Sequence, residues 1–214
     1  MGKNVEMLKC FVRVMRSDRK EIDKILPIMY QESFYSIDED FLLNLGIRNL
    51  ILDIDGTLLP VDDVKVPEEL ITRIELLRKK QIGICLMSNN GEERVSPVAE
   101  ELGLADSYLA NAHKPLPSAF DRALEILDSD KESVAMVGDQ MMSDIKGANE
   151  YGIYSILVRP VSSHNNIQTG TSRFLQNRME KHLEKISLFS SEKYYQNSKG
   201  VRKWHHIIQP KKGR

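Results

Sequence analysis

The chain has 214 residues, 41% of them hydrophobic and 29% charged, with a net charge of -1. That is enough for one sizeable core, or a core with a small appendage, and the near-neutral balance singles out no partner. No apolar run reaches the roughly 18 residues that span a bilayer, the N-terminus is too dense in charge for a signal-peptide core, and Cys10 and Cys85 form no CxxC pair, so the expected location is the cytoplasm, at most peripheral to a membrane.

The first 26 residues contain "MLKCFVRVMR", where Met7, Leu8, Phe11, Val12 and Met15 recur at helical spacing beside Lys9, Arg13 and Arg16. They read as an amphipathic N-terminal extension, suited either to pack on its own domain or to lie on a membrane. From there strands and helices alternate. "NLILDI", residues 49–54, is an apolar run suited to a strand buried on both faces. "PEELITRIELLRKKQ", 67–81, carries two Glu in its first turn and Arg and Lys in its last, the polarity that a helix dipole favours.

"IGICLMS", 82–88, is a second strand in which Cys85 reads as a small buried hydrophobe, and "GEERVSPVAEELG", 91–103, is a helix closed by Gly103. "DSYLANA", 106–112, reads as a short strand; "LPSAFDRALEILD", 116–128, as a helix with Phe120, Ala123, Leu124 and Leu127 on one face. "ESVAMVGD", 132–139, "MSDIKGANEYG", 142–152, and "YSILV", 154–158, supply strand, helix and strand. The alternation predicts an α/β fold: a doubly wound, Rossmann-like parallel sheet of about five strands with helices on both faces. The expected organisation is the extension over 1–26, the main domain over 27–186 and a basic tail, open to disorder, over 187–214. From Arg173 to Arg214 eleven Lys and Arg face three Glu, about +8 against about -9 for the rest.

In such sheets ligands gather at the carboxyl ends of the strands. Asp53, Asp55 and Thr57 follow the first predicted strand, Ser88, Asn89 and Asn90 the second, Lys114 the third and Asp139 and Asp144 the fourth. Several carboxylates in one cleft call for a hard cation, and oxygen ligands select Mg²⁺. A Lys, two hydroxyls and the N–H groups of a tight Asp-Gly turn make a complementary half for a phosphate-type anion. Together they describe phosphoryl transfer, where catalysis is mostly positioning and charge neutralisation.

"DIDGT", Ser88 at a strand end, Lys114 before Pro115 and "GDQMMSD", in that order, resemble the four motifs of the haloacid dehalogenase superfamily of phosphatases. The resemblance covers roughly residues 26 to 161. "LPIMYQESFYSID", "SNNGEERV", "AHKPLPSAF" and "GDQMMSDIKGANEYGIYSILVRPV" narrow it to the subfamily IIIA, YqeG-type phosphatases, whose relatives include phosphatidylglycerophosphate phosphatases. One position departs: that subfamily usually has Asn where this chain has Gly56.

The resemblance implies that Asp53 is the nucleophile and a Mg²⁺ ligand, forming an aspartyl-phosphate. It implies that Asp55 is the general acid and base and binds Mg²⁺ through its backbone carbonyl. Thr57 and Ser88 would hold phosphoryl oxygens, Lys114 would bind phosphate and neutralise charge, and Asp139 and Asp144 would complete the metal site, Asp144 through water or by orienting Lys114.

The spacers from Leu58 to Met87 and from Asn89 to His113 are used up by core elements, leaving no room for a cap domain. An open rim suits a phosphate on something large or embedded in a surface, and phosphatidylglycerophosphate is the substrate that the resemblance favours. The alternatives are another phosphate ester (a phosphorylated macromolecule, nucleotide or sugar) or a non-catalytic phospho-acceptor or scaffold domain. A receiver-type acceptor, however, places its acidic pair first and its acceptor Asp second, with nothing like "GDQMMSD" afterwards. The basic tail leaves nucleic acid as a less favoured partner, and no feature sets the oligomeric state. His113, His205 and His206 read as structural or tail residues, Met141 and Met142 as helix packing, and Asn89 and Asn90 as helix caps.

Overall fold

The computed structural model describes residues 2–61, 63, 65–161 and 170–186. In chain order the elements are α1 (Gly2–Met15), α2 (Arg19–Ile25), β1 (Met29–Gln31), α3 (Glu39–Asn44), β2 (Asn49–Leu52), α4 (Glu68–Lys79) and β3 (Gly83–Met87). They continue with α5 (Glu92–Glu101), β4 (Tyr108–Leu109), α6 (Pro117–Leu127), β5 (Val134–Gly138), α7 (Lys146–Tyr151), β6 (Tyr154–Val158) and α8 (Gly170–Lys185). The six strands form one parallel sheet in the order β1-β6-β5-β2-β3-β4.

The apolar run of β2 is buried on both sides because its side chains alternate across the sheet. Leu50 and Leu52 join Leu70, Ile74 and Leu77 of α4 and Val95 and Val98 of α5 on one face. Ile51 points the other way, with Cys85 of β3, to Ala119, Phe120 and Ala123 of α6. A third cluster extends that second layer over β6: Cys10 and Val14 of α1, Ile22 and Ile25 of α2, and Met179 and Leu183 of α8 close on Tyr30 and Leu157. The amphipathic first helix therefore packs one side on its own domain, while Val5, Leu8 and Val12 face outward.

The sheet has six strands where about five were expected. β1 is only three residues long, beyond the reach of a periodicity argument. It is a sheet strand because Met29 and Tyr30 find apolar partners on opposite faces and the backbone pairs with β6. The predicted strand over 106–112 contracts to Tyr108 and Leu109, and the predicted helix over 142–152 opens on a π-type turn, Met141–Ile145, before α7. Cys85 is buried as expected, and so is Cys10. Among the described residues no helix is long and apolar enough to cross a membrane. The basic tail expected over 187–214, with His205 and His206, lies outside the described residues.

The segment after β1 is tied to α4 by one guanidinium. Arg73 Nη1 donates to Glu39 at 2.8 Å, Nη2 donates to the Ile37 carbonyl, and Arg73 lies 5.9 Å from the Phe34 ring centroid. The Arg73 hydrogen bond, helped by Lys80 at 3.3 Å, holds the Glu39 carboxyl down to about 2 from its ordinary 4.5. A depressed carboxyl stabilises the fold above its unfolded pKa and loses that contribution as pH falls toward its folded one. Glu39→Gln should therefore destabilise by about 1–2 kcal/mol at pH 7, after allowance for solvent screening, and the gap should close between about pH 4.5 and 2. Urea unfolding of both proteins across that range is the check; a gap that does not depend on pH would assign the effect to packing.

Candidate active site

Because all six strands run the same way, their carboxyl ends share one edge. The chain leaves β2 toward β3 and β4, then returns to place β5 and β6 on the other side, so a crevice opens between the ends of β2 and β5. Asp53 is the first residue beyond β2, and its N–H extends the ladder to Val137 at 3.0 Å. Asp139 is the first beyond β5 and Ser88 the first beyond β3. Lys114 stands five residues past β4 and arrives because its loop is stitched to the one after β3. Asn111 N–H donates to the Asn90 carbonyl at 2.8 Å, and Ala112 N–H to that of Ser88 at 2.9 Å. The Asn89 side chain then clasps the Lys114 backbone, accepting from its N–H at 2.6 Å and donating to its carbonyl at 3.2 Å.

The seven predicted residues meet at this edge in two hydrogen-bonded groups. In the inner group the buried Lys114 ammonium, with a side chain only 2% exposed, donates to Asp53 Oδ1 at 2.6 Å and pairs with Asp144 Oδ1 at 2.9 Å. Thr57 Oγ1 lies 3.3 Å from Asp53 Oδ2 and 3.4 Å from Asp139 Oδ1. Asp144 is further held by the Gln140 N–H at 3.1 Å and the Ser143 hydroxyl at 3.2 Å. Asp139 is approached from α8: Arg173 donates to its Oδ2 and to its carbonyl, and Gln176 donates to that carbonyl at 2.9 Å.

Three buried carboxylates here face two cations. Burial pushes the Asp53 carboxyl well above the usual range, with Asp144 and Asp139 adding to the rise and Lys114 opposing it. Burial likewise raises Asp139, with Asp144 adding and Arg173 opposing. Burial works against the Lys114 ammonium, but Asp144 and Asp53 outweigh it and its pKa rises. Asp53, Asp139 and Asp144 each present an oxygen within 4.8 Å of the others. At an effective dielectric of about 20, two unit charges 4.8 Å apart repel by about 3 kcal/mol. The excess of negative charge and the all-oxygen donor set fit a hard divalent cation such as Mg²⁺.

The outer group surrounds Asp55. Arg94 Nε and Nη2 reach its Oδ1 at 2.9 and 2.8 Å, Asn90 Nδ2 donates to Oδ2 at 2.7 Å, and Ser88 Oγ lies 3.5 Å from that same oxygen. Asn89 and Asn90 are thus not the helix caps that their position suggested: Gly91 is the N-cap residue of α5, without a side-chain cap bond, and both amides are spent on the site. Arg94, Arg173 and Gln176 were likewise not anticipated. Arg94 stands inside the "SNNGEERV" stretch, whereas Arg173 and Gln176 lie on a polar helix that carries no local signal.

A family model described as haloacid dehalogenase-like hydrolase matches residues 50–113, and one described as HAD-hydrolase-like matches residues 111–165. The "Probable phosphatase YqeG" of Bacillus subtilis (strain 168) is 31% identical over 154 residues, covering 72% of this chain and 88% of the relative. Among solved structures, an uncharacterized protein from Listeria monocytogenes serotype 4b is 24% identical with a TM-score of 0.46, covering 57% of this chain and 85% of that one. The 4-nitrophenylphosphatase of Thermotoga maritima is 15% identical with a TM-score of 0.47, covering 59% and 90%.

Gly56 has φ +85°, and a Cβ built on it would lie 2.6 Å from Asp139 Oδ2. That oxygen is the one Arg173 holds, so it has little freedom to retreat. Gly56→Ala should therefore cost about 2–4 kcal/mol in chemical denaturation, from left-handed backbone strain and the clash together. A loss below about 1 kcal/mol would mean that the Asp139 carboxylate moves freely.

Proposed function

The chain belongs to the haloacid dehalogenase-like hydrolases as a phosphatase of YqeG type, and on that footing we propose that it hydrolyses phosphomonoesters with Mg²⁺ through an aspartyl-phosphate on Asp53. The observation that carries this reading is the Lys114 ammonium, buried between Asp53 and Asp144 beside the three-carboxylate cluster. Lys114 fixes Asp53 Oδ1 and leaves Oδ2, met by the Thr57 hydroxyl at 3.3 Å, as the oxygen that attacks phosphorus. The P–O bond to the leaving group breaks as the new one forms, and Asp55 gives its proton to the departing oxygen. Asp55 then takes a proton from the water that attacks the aspartyl-phosphate, releasing inorganic phosphate and regenerating the Asp53 carboxylate.

Thr57 and Ser88 hold phosphoryl oxygens, while Lys114 offsets the charge that develops on them. Asp53, Asp139 and Asp144, with the Asp55 carbonyl, would hold the ion, which supplies charge neutralisation at the phosphoryl group. Asp144 contributes mostly by orienting Lys114, since its Oδ1 is committed to the ammonium and its Oδ2 to the Gln140 amide.

The substrate we favour is phosphatidylglycerophosphate, dephosphorylated to phosphatidylglycerol. Three features support it. Among the described residues, β2 to β3, β3 to β4 and β4 to β5 are each connected through a single α-helix, with no inserted cap domain. On α1, Val5, Leu8 and Val12 expose 45%, 54% and 38% of their surface at i, i+3 and i+7, beside the exposed Lys9, Arg13 and Arg16. Leu116, just past Lys114, is 54% exposed at the rim. An apolar stripe with cations at its flank is the pattern of a helix lying on an anionic bilayer.

Asp53→Asn should lower phosphate release from 4-nitrophenyl phosphate at least a thousandfold while leaving thermal unfolding near that of the parent; undiminished turnover would refute the nucleophile. Chelation should abolish activity and Mg²⁺ should restore it. Phosphatidylglycerophosphate in mixed micelles should outperform soluble esters, and indifference to the lipid alongside brisk hydrolysis of soluble phosphates would retire the lipid assignment alone.

A further inference from the structure

Two cations meet the inner carboxylates, and they meet them differently. The Lys114 ammonium is buried between Asp53 and Asp144, whereas the Arg173 side chain keeps 25% of its surface exposed and, among the described residues, pairs only with Asp139. Arg173 Nη2 donates to Asp139 Oδ2, and Nη1 donates to the Asp139 carbonyl at 3.4 Å. It is not a loose surface side chain. Its helix is anchored by Met179 and Leu183 in the cluster formed with α1, α2 and β6, and the buried Gln176 donates to the same carbonyl at 2.9 Å. Glu180, the acid that follows on α8, feels the guanidinium but accepts its hydrogen bond from Gln176 Nε2 at 2.9 Å.

Charge decides what this second cation does. With each carboxyl ionised, as ion binding requires, Asp53, Asp139 and Asp144 against Lys114 and Arg173 leave the inner group with one negative charge, while Asp55 and Arg94 balance each other outside it. A divalent cation turns that group positive by one, and a phosphate dianion then meets net attraction. Without Arg173 the group would carry two negative charges. A divalent cation would bind it more strongly and leave it neutral, with no net attraction for the dianion. Oxygens of the three carboxylates lie within 4.8 Å of one another, so a guanidinium bonded to Asp139 acts at close range on any cation they hold. Its hydrogen bond also commits Asp139 Oδ2, leaving for the ion Oδ1, which shares the Thr57 hydroxyl with Asp53 Oδ2.

We propose that Arg173 makes the binding of the divalent cation and of the phosphoryl group depend on each other: it weakens binding of the cation alone, and it keeps the cation-loaded site positive toward a phosphate dianion. Arg173 acts through Asp139 and through its charge, so it is a positioning residue rather than a catalytic one. The inference rests on the phosphatase reading, with Asp53 and Asp139 as ion ligands. It adds that the two ligands are held weakly one at a time and firmly together.

The test is calorimetric titration of the full chain with Mg²⁺, alone and in the presence of saturating inorganic phosphate, with thermal unfolding reporting whether each variant is folded. In the parent protein phosphate should tighten Mg²⁺ binding at least about tenfold, and by reciprocity Mg²⁺ should tighten phosphate binding by the same factor. Arg173→Gln and Arg173→Met, which remove the charge, should each bind Mg²⁺ alone at least about fivefold more tightly and reduce the effect of phosphate to below about threefold. Arg173→Lys, which keeps the charge, should retain the pattern of the parent. Unchanged or weaker Mg²⁺ binding in a folded charge-removing variant would mean that Arg173 only holds Asp139 in place, and would overturn the proposal. Mg²⁺ binding by the parent that ignores phosphate would overturn it too, without recourse to any variant, while leaving the phosphatase reading intact. No Mg²⁺ binding by the parent under either condition would overturn both.

Discussion

Everything at the functional edge is arranged around one buried ammonium. Lys114 lies between Asp53, which ends β2, and Asp144, which belongs to the turn after β5, and it comes from the loop after β4. A charge taken out of water survives only if its partners make good much of the lost hydration. Three separate segments must therefore meet within hydrogen-bonding distance, and they can do so only because parallel strands deliver their carboxyl ends to a common edge. Close approach is also why glycine recurs here. A Cβ on Gly138 would lie 2.3 Å from Asp144 Oδ2, and one on Gly56 2.6 Å from Asp139 Oδ2.

The inner and outer groups divide the electrostatic work. Around Lys114 there is a surplus of carboxylate, which raises Asp53 and Asp139 and makes the cluster receptive to a hard cation. Around Asp55 the surplus is of donors: two nitrogens of Arg94, an amide from Asn90 and a hydroxyl from Ser88 for one carboxylate. A phosphate ester spanning the two would meet cation-binding acid on one side and hydrogen-bond donors on the other. On the proposed mechanism, that asymmetry separates a position for the transferred group from a position for the group that departs.

Much of this was legible in the sequence, because the residues concerned announce themselves locally. "NLILDIDGT" shows an apolar strand running into two carboxylates, and the order of Ser88, Lys114 and Asp139 behind successive strands follows from the β-α alternation. What escaped was set by contacts distant along the chain. β1 becomes a strand only by pairing with β6, more than a hundred residues later. Asn89 and Asn90 sit where local statistics favour caps, but Asn89 clasps the backbone of Lys114 and Asn90 binds Asp55, 25 and 35 residues away. Arg94 carries no local signal, because nothing nearby in sequence marks Asp55 as its partner.

The helix α8 shows the same principle on a larger scale. Its sequence is polar and basic, yet Met179 and Leu183 are buried against α1, α2 and β6, and Gln176 is only 5% exposed. Fixed that way, it directs Arg173 and Gln176 onto Asp139, while the Gln176 side-chain Oε1 accepts from the Met141 N–H at 3.1 Å. α8 lies outside the stretches matched by the family models, which end at residue 165. The Asp139 carboxylate is therefore oriented by a part of the chain that those models do not cover. The position of Asp139 Oδ2, and with it the need for glycine at 56, follows from the packing of α8 on α1 as much as from the strand that bears Asp139.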